Sequence, residues 1–261
     1  MKNEIKINDF ELFLEAIKPI SKITTAAKIS VNENGIKINT RNDVCRCEIK
    51  TNSLYSTDEF DILIGDINQF IKIMSSVSTI HNGDFMDMKF YVDGNYLKVE
   101  SKKLKTKMSM INEDKISNLI DPGFQHDLSQ VNTDYEFLTN SDNIKRINNH
   151  TFMFSDNNSL RIYLSNQTDM GKNMIYSTLG NEGNAFENSI TFEFGMLTSG
   201  SVGEDKIILD SKRLNMLNVF QSDEIVVKKP TGKNCLLAFI NERGKNGSFI
   251  NISMVDTLLV K

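Results

Sequence analysis

The chain has 261 residues, 25% of them charged, and carries a net charge of −4 from 30 Lys and Arg against 34 Asp and Glu. That length suits one large domain or two ordinary ones. The charge excludes a globally basic nucleic-acid binder, so any attraction for nucleic acid has to come from local positive charge. No apolar run approaches a membrane span, and the start Met1-Lys2-Asn3-Glu4 leads us to expect no secretion signal, no membrane partner and a cytoplasmic location.

In chain order, a short strand is predicted over Glu4–Ile7. Asn8 is the expected cap of a helix whose apolar stripe is Phe10, Phe13, Leu14 and Ile17, stopped by Pro19. Strands follow over Ile23–Val31, Gly35–Thr40 and Val44–Lys50, with Asn34-Gly35 as a hairpin signal. Phe60–Ile64 alternates as a strand does; then Ile67, Phe70, Ile71 and Met74 fall on one helix face behind the cap Asp66. Outside that stripe lie Asn68, Gln69 and Lys72. Met86–Val92, Tyr96–Ser101 and Leu104–Ile111 are the next strands. Strand, helix and three strands thus occur twice, an internal repeat of about sixty residues carried by pattern.

Periodicity fails from Asn112 to Thr133, where Asp121-Pro122-Gly123 and scattered apolar residues suggest a connector lying on a surface. The pattern then returns with a strand over Tyr135–Thr139, a helix capped by Ser141 and strands over Thr151–Ser155, Ser159–Ser165, Lys172–Leu179 and Ser189–Phe194. Asn166–Asn173 and Met196–Gly203 are expected to be long loops. Asp205–Leu209 is a further strand, feeding a helix through Leu214 and Leu217. Ile225–Lys228, Asn234–Ile240 and Ser248–Met254 close the series as strands.

Phe60 to Met74 resembles the matching segment of tailed-phage DNA polymerase sliding clamps and, more distantly, the proliferating cell nuclear antigen family. The hairpin Asn34–Arg41 leading into Val44–Ile49 is similar to the first hairpin of those clamps. The resemblance implies an α+β fold of two similar clamp domains, each of two strand-helix-three-strand units, with helices on one face of antiparallel sheets. Its boundaries here are 1–111 and 134–261, joined by the connector 112–133. It also implies a homotrimeric ring around duplex DNA, a processivity factor tethering a DNA polymerase and other factors after a clamp loader places it. Two other readings stand beside it: a β-rich viral structural protein, and a processivity subunit that grips DNA on an open face without a ring.

The expected DNA-facing cations are Lys72, Lys145, Arg146, Lys212 and Arg213, all off the apolar stripes of their helices. The first helix offers Asp9, Glu11 and Glu15 and should contribute little to DNA attraction. By the resemblance, partner peptides dock in an apolar groove formed by Val44, Ile116, Leu119, Ile120, Pro122 and Met254. For assembly, Leu104–Ile111 and Lys172–Leu179 are expected to be open strand edges that pair between neighbours.

Chemistry is absent by comparison. His81, His126 and His150 lack partners at a characteristic spacing, and there is no phosphate-binding loop or Gly-x-Ser-x-Gly. Cys45, Cys47 and Cys235 are expected to be reduced thiols and not a metal site. The expectation is a non-enzyme without cofactor or metal.

Overall fold

Helix α1 (Phe10–Ile17) begins at Asp9, whose carboxylate accepts from the Leu12 amide at 2.9 Å and occupies one of the orphan donors of the first turn. Asn8, the expected cap, instead donates its side-chain amide to Asn52 O at 2.8 Å. Pro19 ends α1 as expected, but the chain tightens into a 3₁₀ turn over Lys18–Lys22 and does not enter a strand there. The computed structural model describes residues 2–42, 45–115, 117, 128, 130–150, 160–169, 172–181, 189–202, 207–210, 220, 224–232, 237–245 and 247–256. These fall into two compact units, the first of Met1–Asn42, Arg46–Phe124 and Glu242–Ile252, the second of Asp43–Cys45, Gln125–Asn241 and Ser253–Lys261.

In the first unit, β1 (Lys2–Ile7) precedes α1, and β2 (Ala27–Asn32), β3 (Gly35–Arg41), β4 (Cys45–Thr51) and a two-residue β5 (Leu54–Tyr55) follow it. The turn between β2 and β3 closes with Asn32 opposite Gly35. Gly35 has φ +131°, and a Cβ there would lie 2.3 Å from Thr51 O, so a side chain fits neither the dihedral nor the space. The motif then repeats as β6 (Phe60–Ile64), α2 (Ile67–His81), β7 (Lys89–Asp93), β8 (Tyr96–Glu100) and β9 (Lys105–Ser109).

Two antiparallel arrays result, β5-β1-β7-β8-β9 and β4-β3-β2-β6, the latter extended beyond β4 by residues of β17 (Ser248–Asp256). Asn52 holds that last piece, donating to Gly247 O and accepting from the Phe249 amide, both at 2.8 Å.

Both helices bury their stripes in a shared core. Phe13 of α1 lies 6.2 Å from Phe70 of α2 and 6.3 Å from Phe90 of β7, ring centre to ring centre. All three are at most 1% exposed. Burying each such ring contributes about 1.5–3 kcal/mol relative to leaving it in water.

The second unit opens with β10 (Thr133–Thr139) and α3 (Ser141–His150). The expected cap Ser141 is the first residue of the helix; the capping oxygen is that of Asn140, which accepts from the Asn143 amide at 2.8 Å. Strands β11 (Leu160–Asp169), β12 (Lys172–Asn181), β13 (Ile190–Gly200), β14 (Ile207–Asp210), β15 (Ile225–Pro230) and β16 (Ala238–Lys245) follow, in the spatial order β14-β11-β12-β13-β10-β15-β16.

Three expectations fail in this unit. Asn166–Asn173 is no long loop: β11 and β12 stay paired to Asp169 opposite Lys172. Met196–Gly203 is not a loop either, because β13 continues to Gly200 along β10. Its glycines have another cause. A Cβ on Gly195 would meet Leu138 O at 2.2 Å, and one on Gly200 would meet Asp134 O at 2.1 Å, so the close approach of β10 excludes side chains. Finally, β12 is paired on both sides, with β11 and β13, and is not an edge. The expected strand Thr151–Ser155 and the helix through Leu214 and Leu217 lie outside the described residues.

Open edges nevertheless exist among the described residues. β9 pairs only with β8. On β13, Ile190–Glu193 pair with β12 alone: Phe194 O accepts from Thr139 and Asn143, Gly195 lies against β10, and β10 joins the ladder from Met196 onward.

Candidate nucleic-acid interface

The outer face of α2 is set by its inner one. Ile67, Phe70, Met74 and Val77 are buried, which turns Asn68, Gln69, Lys72, Ser76 and Thr79 outward. Asp66 caps the helix, accepting from the Gln69 amide at 2.9 Å, and no carboxylate lies within the helix itself. Lys72 is exposed and forms no ion pair among the described residues. The helix ends at Asn82, in the left-handed region at φ 48°.

On α3, Ile144 and Ile147 are buried and Lys145 and Arg146 are exposed. Lys145 Nζ lies 3.2 Å from Asp142 Oδ1, so this face carries an acid beside its cations. The i,i+3 spacing of Asp142 and Lys145 signals this pair. Both groups are more than half exposed, so the contact is worth about 0–1 kcal/mol and leaves the lysine available. Arg146 has no ion-pair partner among the described residues. Asn143 fixes the helix to β13, its Nδ2 donating to Phe194 O at 3.0 Å.

α1 presents Glu11 and Glu15 outward. Glu11 accepts a short hydrogen bond from Ser78 Oγ of α2.

The lysines of β2, β3, β4 and β15 are engaged. Lys28 bridges Asp61 at 2.9 Å and Glu113 at 3.1 Å. The Asp61 contact, and secondarily Glu113, outweigh burial and hold the Lys28 ammonium above its usual pKa. Lys37 and Lys50 both bind the buried Glu48 at 2.8 Å. Lys228 binds Glu136 at 3.3 Å. These lysines of β2, β3, β4 and β15 are thus neutralised locally, while Lys72 and Arg146 form no ion pair among the described residues.

Lys212 and Arg213 lie outside the described residues, as do Val44, Ile116, Leu119, Ile120 and Pro122 of the expected groove. Met254 is 2% exposed. Cys45 and Cys47 are both buried thiols, and no described group of three or more His, Cys, Asp or Glu is placed to hold a metal. His81 is buried, with Nδ1–H donating to Asp84 O and Nε2 facing Ser101 Oγ, both at 3.0 Å; its two nitrogens serve the turn after α2. No described helix is long and apolar enough to cross a membrane.

No family model and no curated protein matches the chain. Among solved structures it is similar to A. fulgidus PCNA bound to the C-terminal region of FEN-1, with TM-score 0.65, 14% identity and 100% of each chain covered. It is similar to proliferating cellular nuclear antigen from Entamoeba histolytica, with TM-score 0.62, 12% identity, and 98% of this chain and 100% of that one covered. A putative DNA polymerase III beta subunit from Eubacterium rectale gives TM-score 0.61 at 15% identity, covering 98% of this chain and 66% of that one. From end to end, the chain has the fold of the sliding clamps.

Proposed function

We propose that this chain is a DNA polymerase processivity factor of the phage type. Three copies close around duplex DNA, and the ring tethers the replicative polymerase and other factors after a clamp loader has placed it. It performs no chemistry itself. The observation that supports this most is the contrast on the clamp fold between the lysines of β2, β3 and β4, each paired with a carboxylate, and Lys72 of α2 and Arg146 of α3, which form no ion pair among the described residues. A ring holds DNA by topology, so a few cations attracting phosphates without reading bases suffice.

Lys72, Lys145 and Arg146 face the duplex in this reading, joined by Lys212 and Arg213. The connector 112–133 between domains 1–111 and 134–261 covers a peptide groove of Val44, Ile116, Leu119, Ile120 and Pro122. Met254 completes the groove in this reading.

The open edges supply the ring contact. β9 of one copy pairs with Ile190–Glu193 of β13 in the next, a head-to-tail contact that can close. The repeat supports this pairing. In the first unit β4 is flanked by β17; β9 is the counterpart of β17, and β13 that of β4. The Met110 amide donates back to Asn95 O at 2.8 Å, so the Ser109 amide faces the open side. Ser109→Pro therefore removes a donor from the contact and spares the β8–β9 ladder. Sedimentation at several concentrations should show a trimer for the wild type and dissociation for this variant. A strict monomer at high wild-type concentration would favour the open-face or structural reading. Primer extension with loader and polymerase on two unrelated templates tests tethering; equal product lengths with and without the protein would overturn it.

A further inference from the structure

The sheet β5-β1-β7-β8-β9 has a second face, turned away from the helices. Ile5, Phe90, Val92, Leu97 and Val99 point to the core, so the alternate residues point to solvent. That solvent face carries Lys2, Lys6, Lys89, Lys98, Lys105 and Lys107. Against them stand Glu4, Asp93 and Glu100, so the face carries +3 (six minus three) in a chain whose total is −4. Tyr55, Tyr91 and Tyr96 share it.

The register orders these groups. Lys6 faces Tyr55, Glu4 faces Tyr91, and Asp93 faces Tyr96. The three rings therefore follow a diagonal from β5 to β8, with Tyr55 and Tyr96 roughly 20 Å apart by strand spacing and rise. Lys6, Lys89, Lys98, Lys105 and Lys107 lie on one side of that diagonal with Glu100 as the one acid; Lys2, Glu4 and Asp93 lie on the other.

The rings already hold cations. Lys107 lies 4.7 Å from the Tyr96 ring centre and Lys6 lies 6.0 Å from that of Tyr55. Tyr91 is covered by Lys2 at 5.0 Å and Lys98 at 5.8 Å, and its phenol is bonded to Glu100, which raises its pKa. Asp93 takes part of the Lys98 charge, at 2.5 Å. Tyr96 is 39% exposed and is the open platform.

We propose that this face binds single-stranded nucleic acid, its bases stacking on Tyr55 and Tyr96 and its phosphates following the lysine side of the diagonal. A row of rings beside a row of cations matches a strand whose base faces and phosphates are both exposed. A duplex keeps its base faces stacked inside. An acidic protein segment would use the lysines and leave the rings idle. Base stacking on an aromatic ring is stronger than an exposed cation–π contact, so a base displaces the lysine from the ring and leaves the ammonium beside the phosphate. The inference rests on this sheet alone and not on ring closure or the helix cations.

The test is fluorescence anisotropy of labelled oligothymidylate and oligouridylate with the full chain, across salt. Binding should be salt-dependent. Tyr96→Ala should weaken it about tenfold while Tyr96→Phe keeps it, since the ring and not the hydroxyl stacks. Lys6→Gln with Lys89→Gln should reduce the salt slope by roughly 1.4. Lys37→Gln, on β3 and outside this face, should leave it unchanged. The DNA and RNA probes decide which strand is preferred. Absence of binding, binding insensitive to Tyr96→Ala in a protein that melts normally, or equal competition by polyglutamate would each overturn the proposal.

Discussion

Helices α1 and α2 share a core and differ on the outside. Both follow an aspartate cap that accepts from an amide three residues on, at 2.9 Å. Both bury an apolar stripe, and Phe13 of one and Phe70 of the other meet edge to face. Yet α1 shows Glu11 and Glu15 to solvent, whereas α2 shows amides, hydroxyls and Lys72. Packing specifies the inward stripe and leaves the outer face open, so the repeat can keep one architecture while its two helices carry opposite charge.

The sharpest way to break the shared side is Phe13→Ala. It removes a ring that touches α1, α2 and β7 together and should cost about 3–5 kcal/mol by urea denaturation. A loss below about 1 kcal/mol would mean that the site collapses and the core is not shared. The caps come next. Asp9→Ala and Asp66→Ala should each cost about 1 kcal/mol and should match one another, because the same bond is lost. Unequal values would show that one helix start is held by its surroundings.

Smaller still is the change that separates the faces. Lys72→Gln should alter stability by no more than about 0.5 kcal/mol. The salt slope of duplex DNA binding should nevertheless fall by about 0.9. Glu15→Gln on α1 should leave that slope where it is. If both variants moved the slope alike, the helix faces would not be distinct in function.

The least effect is expected from a strand cation. Lys28→Gln should cost less than about 1 kcal/mol, since its bridge to Asp61 and Glu113 is partly exposed. Because the folded state raises the Lys28 pKa, the contribution is complete below 10.5 and is lost as pH rises through the higher folded value. Wild type and variant stabilities should converge as pH rises through that alkaline range, which a pH series of melts will show.

Periodicity made much of this legible from residues alone. The stripes of α1, α2 and α3 and the span of β6 follow from the spacing of apolar residues. Contacts distant in sequence were not legible. Asn8 does not cap because Asn52, 44 positions away, offers it a carbonyl. Gly195 and Gly200 resemble loop glycines until β10 is beside them. The open edge moved from β12 to β13 because ladder order is a property of registers and not of any one strand. At the candidate site, exposure of Lys72 and Arg146 could be read from the stripes. The pairing of Lys28, Lys37 and Lys50 with carboxylates could not, since each pair spans different strands or depends on their alternation.

β9 leaves one row of backbone donors and acceptors open, and its exposed side chains include Lys105 and Lys107. In the proposed ring, a newly made chain carries that row through solution before it meets another copy. Two ammonium groups within five residues repel a second β9 brought alongside, while the other open edge exposes Glu193, which attracts them. In the proposed ring, charge would therefore sort the encounters, turning like edges away and admitting unlike ones, so that a chain would accept a neighbour in one orientation only.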